Sequence, residues 1–287
     1  MRISQKARYV RSGQLNPGDA PAPSSLILLN SGTVNPPVFL AAGAGGDVRE
    51  FTDLAGHVRT DHPIYGMQAK GRDGTGEPCE YIEQMAEYNL KAIRELQPHG
   101  PYFLIGYSLG GLVALEMAQR LCLDKESIGL LLMIETYPHK RFLPPKQKLR
   151  RGLRVVKYHL SRIAGLPMRR AITYAAQFLA KRFGLNRNVD AWEHPSEGAH
   201  KGRIVPMRDS DYKAWMNYCP RYYAGSIKYV QARTNLYYPD AAPFWTELVG
   251  SLEVATTSGD HVGMVTQHPR TLASILSTYL SQSLPSQ

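Results

Sequence analysis

Cysteine is scarce in this chain of 287 residues: Cys79, Cys122 and Cys219 are odd in number and far apart. That set excludes both a disulfide framework and a thiolate metal cage, and points to reduced thiols. Long apolar runs are missing as well. The first 25 residues are polar, cluster Pro17, Gly18, Pro21 and Pro23, and hold no stretch able to serve as a signal peptide or membrane span. A flexible tail over residues 1–25 and a cytoplasmic protein are the expectation. No internal repeat and no long low-complexity segment is evident, and the length suits one large α/β domain with an insertion over residues 26–287.

Acid is absent from one long stretch. Residues 140–187 hold 14 Lys or Arg and no Asp or Glu, so the remaining 20 basic residues face all 24 acidic ones. The formal charge of +10 therefore belongs to that stretch, and the rest of the chain is mildly acidic. A basic patch can attract nucleic acid, a membrane or an acidic protein, but no recognised nucleic-acid motif accompanies this one.

What is present is organised around residues 101–121, PYFLIGYSLGGLVALEMAQRL. A short apolar run, Tyr102 to Ile105, has the composition of a buried parallel strand, while Leu112, Leu115, Met117, Ala118 and Leu121 recur near helical spacing. Between them lies Gly106-Tyr107-Ser108-Leu109-Gly110. Strand, G-x-S-x-G and helix in that order form a nucleophile elbow: the serine stands on a strained turn, and the first N–H groups of the helix aim at any oxyanion formed beside it. Ser108 is the candidate nucleophile and the Leu109 N–H a candidate oxyanion donor.

The same logic recurs earlier. Val38 to Ala42 reads as a strand running into Gly43-Ala44-Gly45-Gly46-Asp47, and a helical pattern follows through Phe51, Leu54 and Val58. A glycine turn of this kind is either a plain βα connection or, with Ala44 supplying an N–H, the second half of an oxyanion hole. Residues 63–68 read as the next strand, and residues 81–96 as a helix with Ile82, Met85, Ala86, Leu90, Ile93 and Leu96 on one face. Residues 127–135 are almost unbroken apolar sequence ending in Glu135. In open α/β sheets chemistry gathers at the carboxyl ends of strands, so Glu135 is a candidate partner for a histidine; a surface-loop acid is the other reading.

Within the basic stretch, Leu149, Leu153, Val156, Leu160 and Ile163 form one helical stripe, and Met168, Ile172, Ala175, Leu179 and Phe183 another, separated at Pro167. Two amphipathic helices inserted between strands predict a lid over about residues 140–205, with 186–205 as the irregular return. Later come a helix over 211–219, strands over 226–233 and 252–257, and a final helix over 271–280. Of nine histidines, His261 follows the last strand in Ser258-Gly259-Asp260-His261, where a serine hydrolase of this chain order carries its base.

These motifs resemble those of the thioesterase domains that release products from nonribosomal peptide and polyketide synthases. The resemblance runs from about residue 24 to the C-terminus. It rests on Gln97-Pro98-His99-Gly100-Pro101-Tyr102 before Gly106-Tyr107-Ser108-Leu109-Gly110-Gly111, on Ala44-Gly45-Gly46, on Tyr65-Gly66-Met67-Gln68, and on Gly259-Asp260-His261. It implies an α/β-hydrolase fold, a mostly parallel central sheet flanked by helices, with a helical lid between the sixth and seventh strands. It also implies an acyl substrate carried on the phosphopantetheine arm of a carrier protein, with no bound cofactor or metal. Such domains usually place Asp at the end of the strand before the lid, where this chain has Ile134-Glu135-Thr136-Tyr137-Pro138. Glutamate can orient an imidazole as aspartate does; Asp240, in the loop after the strand over 226–233, is the alternative acid. Three further functions stay open at this point: an editing thioesterase that clears misprimed carriers, a general carboxylesterase, and a non-catalytic carrier-binding module. The basic lid is the expected carrier contact, and an anionic membrane a less favoured one.

Overall fold

The computed structural model describes residues 25–72, 74, 76–182, 207–234 and 241–283. A seven-stranded sheet runs through it in the spatial order β1-β3-β2-β4-β5-β6-β7. The strands are β1 Leu26–Asn30, β2 Val38–Ala41, β3 Ile64–Met67, β4 Tyr102–Tyr107, β5 Ile128–Ile134, β6 Tyr223–Ala232 and β7 Val249–Thr257. Every pairing is parallel except β1 with β3, which is antiparallel at the edge, with Leu26 opposite Met67. Helices α1 Thr52–His57, α2 Ile82–Leu96, α3 Leu109–Leu123, α4 Pro145–Ala164, α5 Met168–Arg182, α6 Asp209–Asn217, α7 Ala242–Thr246, α8 Gly263–Thr266 and α9 Pro269–Ser283 connect or flank them.

The strand pleat sorts the central residues into two cores. Tyr102 and Leu104 of β4 and Leu131 and Met133 of β5 point to one face, against Ile82, Ala86 and Ile93 of α2 and Leu112 and Leu115 of α3. Phe103, Ile105 and Tyr107, with Leu130, Leu132 and Ile134, point to the other, against Leu54 of α1 and Leu272, Leu276 and Leu280 of α9. Both faces are covered, so β4 is buried at every position and its sequence shows a run instead of an alternation.

The α/β-hydrolase expectation is met, with differences of detail. The edge strand β1 has no counterpart in the sequence reading: its residues are mostly half-exposed, so neither an apolar run nor a clean alternation marks it. Both β6 and β7 start three residues before their sequence signals. The lid follows the fifth strand, not the sixth, because the described sheet has five strands ahead of it. Its two helices form as expected, yet Leu149, Leu153, Val156 and Leu160 of α4 and Met168 and Ile172 of α5 are exposed. The expected return over 186–205 and the tail up to residue 24 lie outside the described residues, as does Asp240.

Candidate active site

Ser108 sits between β4 and α3 with φ 53° and ψ −118°, a backbone conformation that non-glycine residues rarely adopt. Two glycines permit the turn. A Cβ on Gly106 would come within 2.3 Å of the Gly110 carbonyl oxygen, and one on Gly110 within 2.3 Å of the Ala42 carbonyl oxygen. Strand, helix and the glycine turn after β2 are thus in backbone contact around the serine. The Ser108 N–H donates to the Ile134 carbonyl at 2.8 Å, which ties the elbow to the end of β5. The Ser108 hydroxyl does not cap its own helix. It stands beside the positive end of α3, where the Leu109 N–H is the first of the free helical donors.

The glycine turn comes close to this point. The Cβ position of Gly43 lies 3.4 Å from Cβ of Ser108, and a hydrogen bond from the Gly46 N–H to the Gly43 carbonyl, at 3.1 Å, closes the turn around Ala44 and Gly45. Gly45 has φ 89°, as the third residue of a type II turn requires.

Glu135, at the carboxyl end of β5, is fully buried and has φ 46°. Its N–H donates to the Val230 carbonyl at 2.9 Å, which turns the side chain over the end of β6. Both carboxylate oxygens are used. Oε1 accepts from the Ala232 N–H. Oε2 accepts from the Tyr137 hydroxyl at 2.9 Å and faces Nδ1 of His261 at 3.4 Å. The His261 loop follows β7, two strands away, so the acid must reach across β6. The additional methylene of glutamate and the left-handed backbone at 135 together supply that reach.

Tyr107 holds His261 from the other side. Its ring stacks on the imidazole with centroids 5.0 Å apart, and its hydroxyl donates to the His261 carbonyl at 2.6 Å. Burial, with the Glu135 carboxylate nearby, pushes the Tyr107 phenol well above its ordinary range, so it stays a protonated donor. The segment after Glu135 is equally fixed: the indole N–H of Trp245 and the Tyr229 hydroxyl both donate to the Thr136 carbonyl at 3.0 Å, and the Trp215 indole donates to the Tyr137 carbonyl at 2.9 Å.

The structure therefore brings Glu135 and His261 into contact and sets Ser108, Leu109 and the Ala44 turn together at the carboxyl end of β4. Tyr107, Tyr137 and the Ala232 N–H escaped the sequence reading. Tyr107 and Tyr137 adjoin singled-out residues, but the Tyr107 partner lies across the sheet, the Tyr137 partner is Glu135 two residues back, and no spacing rule points to either. A cavity of ≈ 30 Å³ borders the turn, between Gly43, Gly46, Leu109 and Asp211. It has room for a water or two but not for an acyl chain. Among the described residues no three His, Cys, Asp or Glu side chains gather as a metal site would need, and no helix is long and apolar enough to cross a membrane.

Comparison with known proteins agrees with this fold. The family model for the thioesterase domain matches residues 36–280. A dimodular nonribosomal peptide synthase of Bacillus subtilis (strain 168) is 40% identical over 122 residues, 42% of this chain; the aligned part is 5% of that protein's length. The chain thus corresponds to a small part of the curated relatives it matches. In fold it is similar to a four-domain nonribosomal peptide synthetase, holo-AB3403 bound to AMP and glycine, with TM-score 0.61, 21% identity, and 92% of this chain and 20% of that one covered. It is also similar to the type II thioesterase BorB from the borrelidin biosynthetic cluster, with TM-score 0.60, 18% identity, and 91% and 98% covered.

Proposed function

Since the chain belongs to the thioesterase domain family, we propose that it releases an acyl or peptidyl chain from the phosphopantetheine thiol of a carrier protein, through an ester on Ser108, in peptide or polyketide biosynthesis. The observation that supports this reading above all is the contact at 3.4 Å between buried Glu135 and partly exposed His261 beside the strained elbow. In this mechanism His261 accepts the Ser108 proton as Oγ attacks the thioester carbonyl. The Leu109 and Ala44 N–H groups stabilise the tetrahedral oxyanion, while Glu135 holds the imidazole tautomer and balances its charge. Collapse breaks the C–S bond, the proton passes to the departing thiol, and an acyl-serine ester remains. Attack by water then gives a free acid, and attack by an amine or hydroxyl of the same chain gives a macrocycle. No step draws on a metal or bound cofactor.

The lid supplies the partner surface in this reading. Exposed Leu149, Leu153, Val156 and Leu160 run along α4 with exposed Lys146, Arg150 and Lys157 beside them. An apolar stripe edged with cations suits an acidic carrier, because the charges steer encounter and the apolar groups hold the docked complex.

A fluorophosphonate probe is expected to label Ser108 alone, and Ser108→Ala to lower kcat by about 10⁶. Near-normal turnover in that variant would overturn the assignment. Steady-state rates on an acyl-carrier, an acyl-CoA and a simple ester decide the substrate. Preference for the carrier is expected. Equal rates on many short misprimed carriers would point to editing, preference for the ester to a carboxylesterase, and carrier binding without turnover to a docking module.

A further inference from the structure

Asp211 lies in the first turn of α6, the first described element after the lid, and the sequence gives no sign of its partner. The residue is 1% exposed. Oδ2 accepts from the Gly45 N–H at 2.8 Å, across 166 residues of chain, and from Nε of Arg208 at 3.1 Å; Oδ1 accepts from Nη2 of Arg208 at 2.9 Å. The Arg208 fork neutralises the buried charge and fixes its plane. Arg208 in turn donates from Nη1 to the Lys70 carbonyl at 3.3 Å, and the Ala69 N–H donates to the Gly46 carbonyl at 3.2 Å. The first turn of α6 and the loop after β3 therefore both grip the glycine turn.

The grip falls on a telling peptide. In a type II turn the central peptide plane, here that of Ala44 and Gly45, can flip at low cost when its third residue is glycine. Flipping it changes the ψ of Ala44 and φ of Gly45 and loosens the segment that aims the Ala44 N–H. A charged acceptor on the Gly45 N–H opposes that flip. Asp211 borders the small cavity with Gly43, Gly46 and Leu109, and the mechanism above gives its carboxylate no contact with a reacting atom.

We infer that Asp211 is a positioning residue for the oxyanion hole: by holding the Gly45 N–H it keeps the Ala44 N–H aimed at the developing oxyanion. The inference rests on the serine thioesterase reading. A donor that is misaimed instead of removed costs less than the 10²–10³ of a deleted one. Asp211→Ala is therefore expected to lower kcat by about tenfold to a hundredfold while KM stays within about twofold. The effect should follow the tetrahedral state. The Ki of an alkylboronic acid, which becomes tetrahedral on the Ser108 oxygen, should rise by the same factor as kcat falls. The Kd of a non-hydrolysable thioether analogue of the substrate should not move. Asp211→Asn, of equal shape, keeps an oxygen acceptor but cannot satisfy Gly45 and Arg208 together, and should fall between wild type and Asp211→Ala on both measures. If the alanine variant lacks a cooperative thermal transition, the asparagine variant decides by the same split.

A loss confined to KM, or a fall in kcat with unchanged boronate affinity, overturns the inference while leaving the wild-type thioesterase reading intact. So does wild-type behaviour of the asparagine variant once amide exchange shows its Gly45 N–H released. A wild-type chain that neither turns over thioesters nor takes up the boronate overturns the underlying reading, and the inference falls with it.

Discussion

At Glu135 the backbone and the side chain serve one purpose. A left-handed φ turns the residue over the end of β6, and the longer arm spans the distance that a shorter acid would have to cover by moving the strand. Glu135→Gln keeps the shape and loses the charge. Its amide N–H₂ would face either the Ala232 N–H or the Tyr137 and His261 donors, so the imidazole loses both its counter-charge and its tautomer control. The expected result is a kcat lower by about 10³ to 10⁴, with KM little changed. Asp240→Asn, measured beside it, should stay within a few-fold of wild type, and the reverse ranking would move the acid to Asp240. While the choice between Glu135 and Asp240 as the acid stayed open in the sequence, the positions of Ser108, Glu135 and His261 at or just past the ends of strand signals were legible. Tyr107 and Tyr137 were not, since a tyrosine beside a motif carries no mark of what its hydroxyl will meet more than a hundred residues away or two.

Between sequence and element, periodicity identifies which residues share a face and leaves open where that face points. The α4 stripe shows the limit. Leu149, Leu153, Val156 and Leu160 do align, but the structure turns them outward. The runs of β2, β4 and β5 were readable because burial on both faces admits only apolar residues; β1, half-exposed at the edge, offers no such pattern. Reversing Lys146, Arg150 and Lys157 to Glu tests the lid as a carrier surface. KM for a carrier-borne substrate is expected to rise about tenfold or more at low salt, and KM for a short acyl thioester to stay within twofold. The carrier effect should shrink as salt shortens the Debye length from about 10 Å at 0.1 M. Equal shifts on both substrates would assign the charges to pocket shape, and loss of binding to anionic vesicles in the same variant would assign them to a membrane.

For the molecule as a whole, one buried acid links parts that lie far apart in the chain. Glu116 of α3, 2% exposed, accepts from Nε of Arg120 at 2.9 Å, from the Tyr218 hydroxyl at 3.1 Å and from Nη2 of Arg221 at 3.2 Å. The elbow helix is thereby fastened to the segment between α6 and β6. Glu116→Ala strands these donors, and Tyr218 is buried, so a loss of about 2 to 3 kcal/mol is expected. At roughly 2 to 4 °C per kcal/mol, that lowers Tm by about 4 to 12 °C. Glu116 lies on the turns of α3 away from Ser108, so kcat below the transition should be unchanged; calorimetry and initial rates on the same sample check both.

The strain at Ser108 sets persistence against turnover. Its φ and ψ are the mirror image of an ordinary extended conformation, which glycine alone adopts freely. Ser108→Gly should therefore give a dead enzyme whose Tm is higher by a few degrees, from relief of about 1 to 3 kcal/mol of strain less glycine's extra chain entropy. An unchanged or lower Tm would show that the serine is not strained. If the expected gain is found, selection for catalysis is all that keeps a serine at 108. In a lineage that no longer needed the catalysed step, stability would favour the glycine, and a copy carrying it would be a fossil of the activity rather than an enzyme in use.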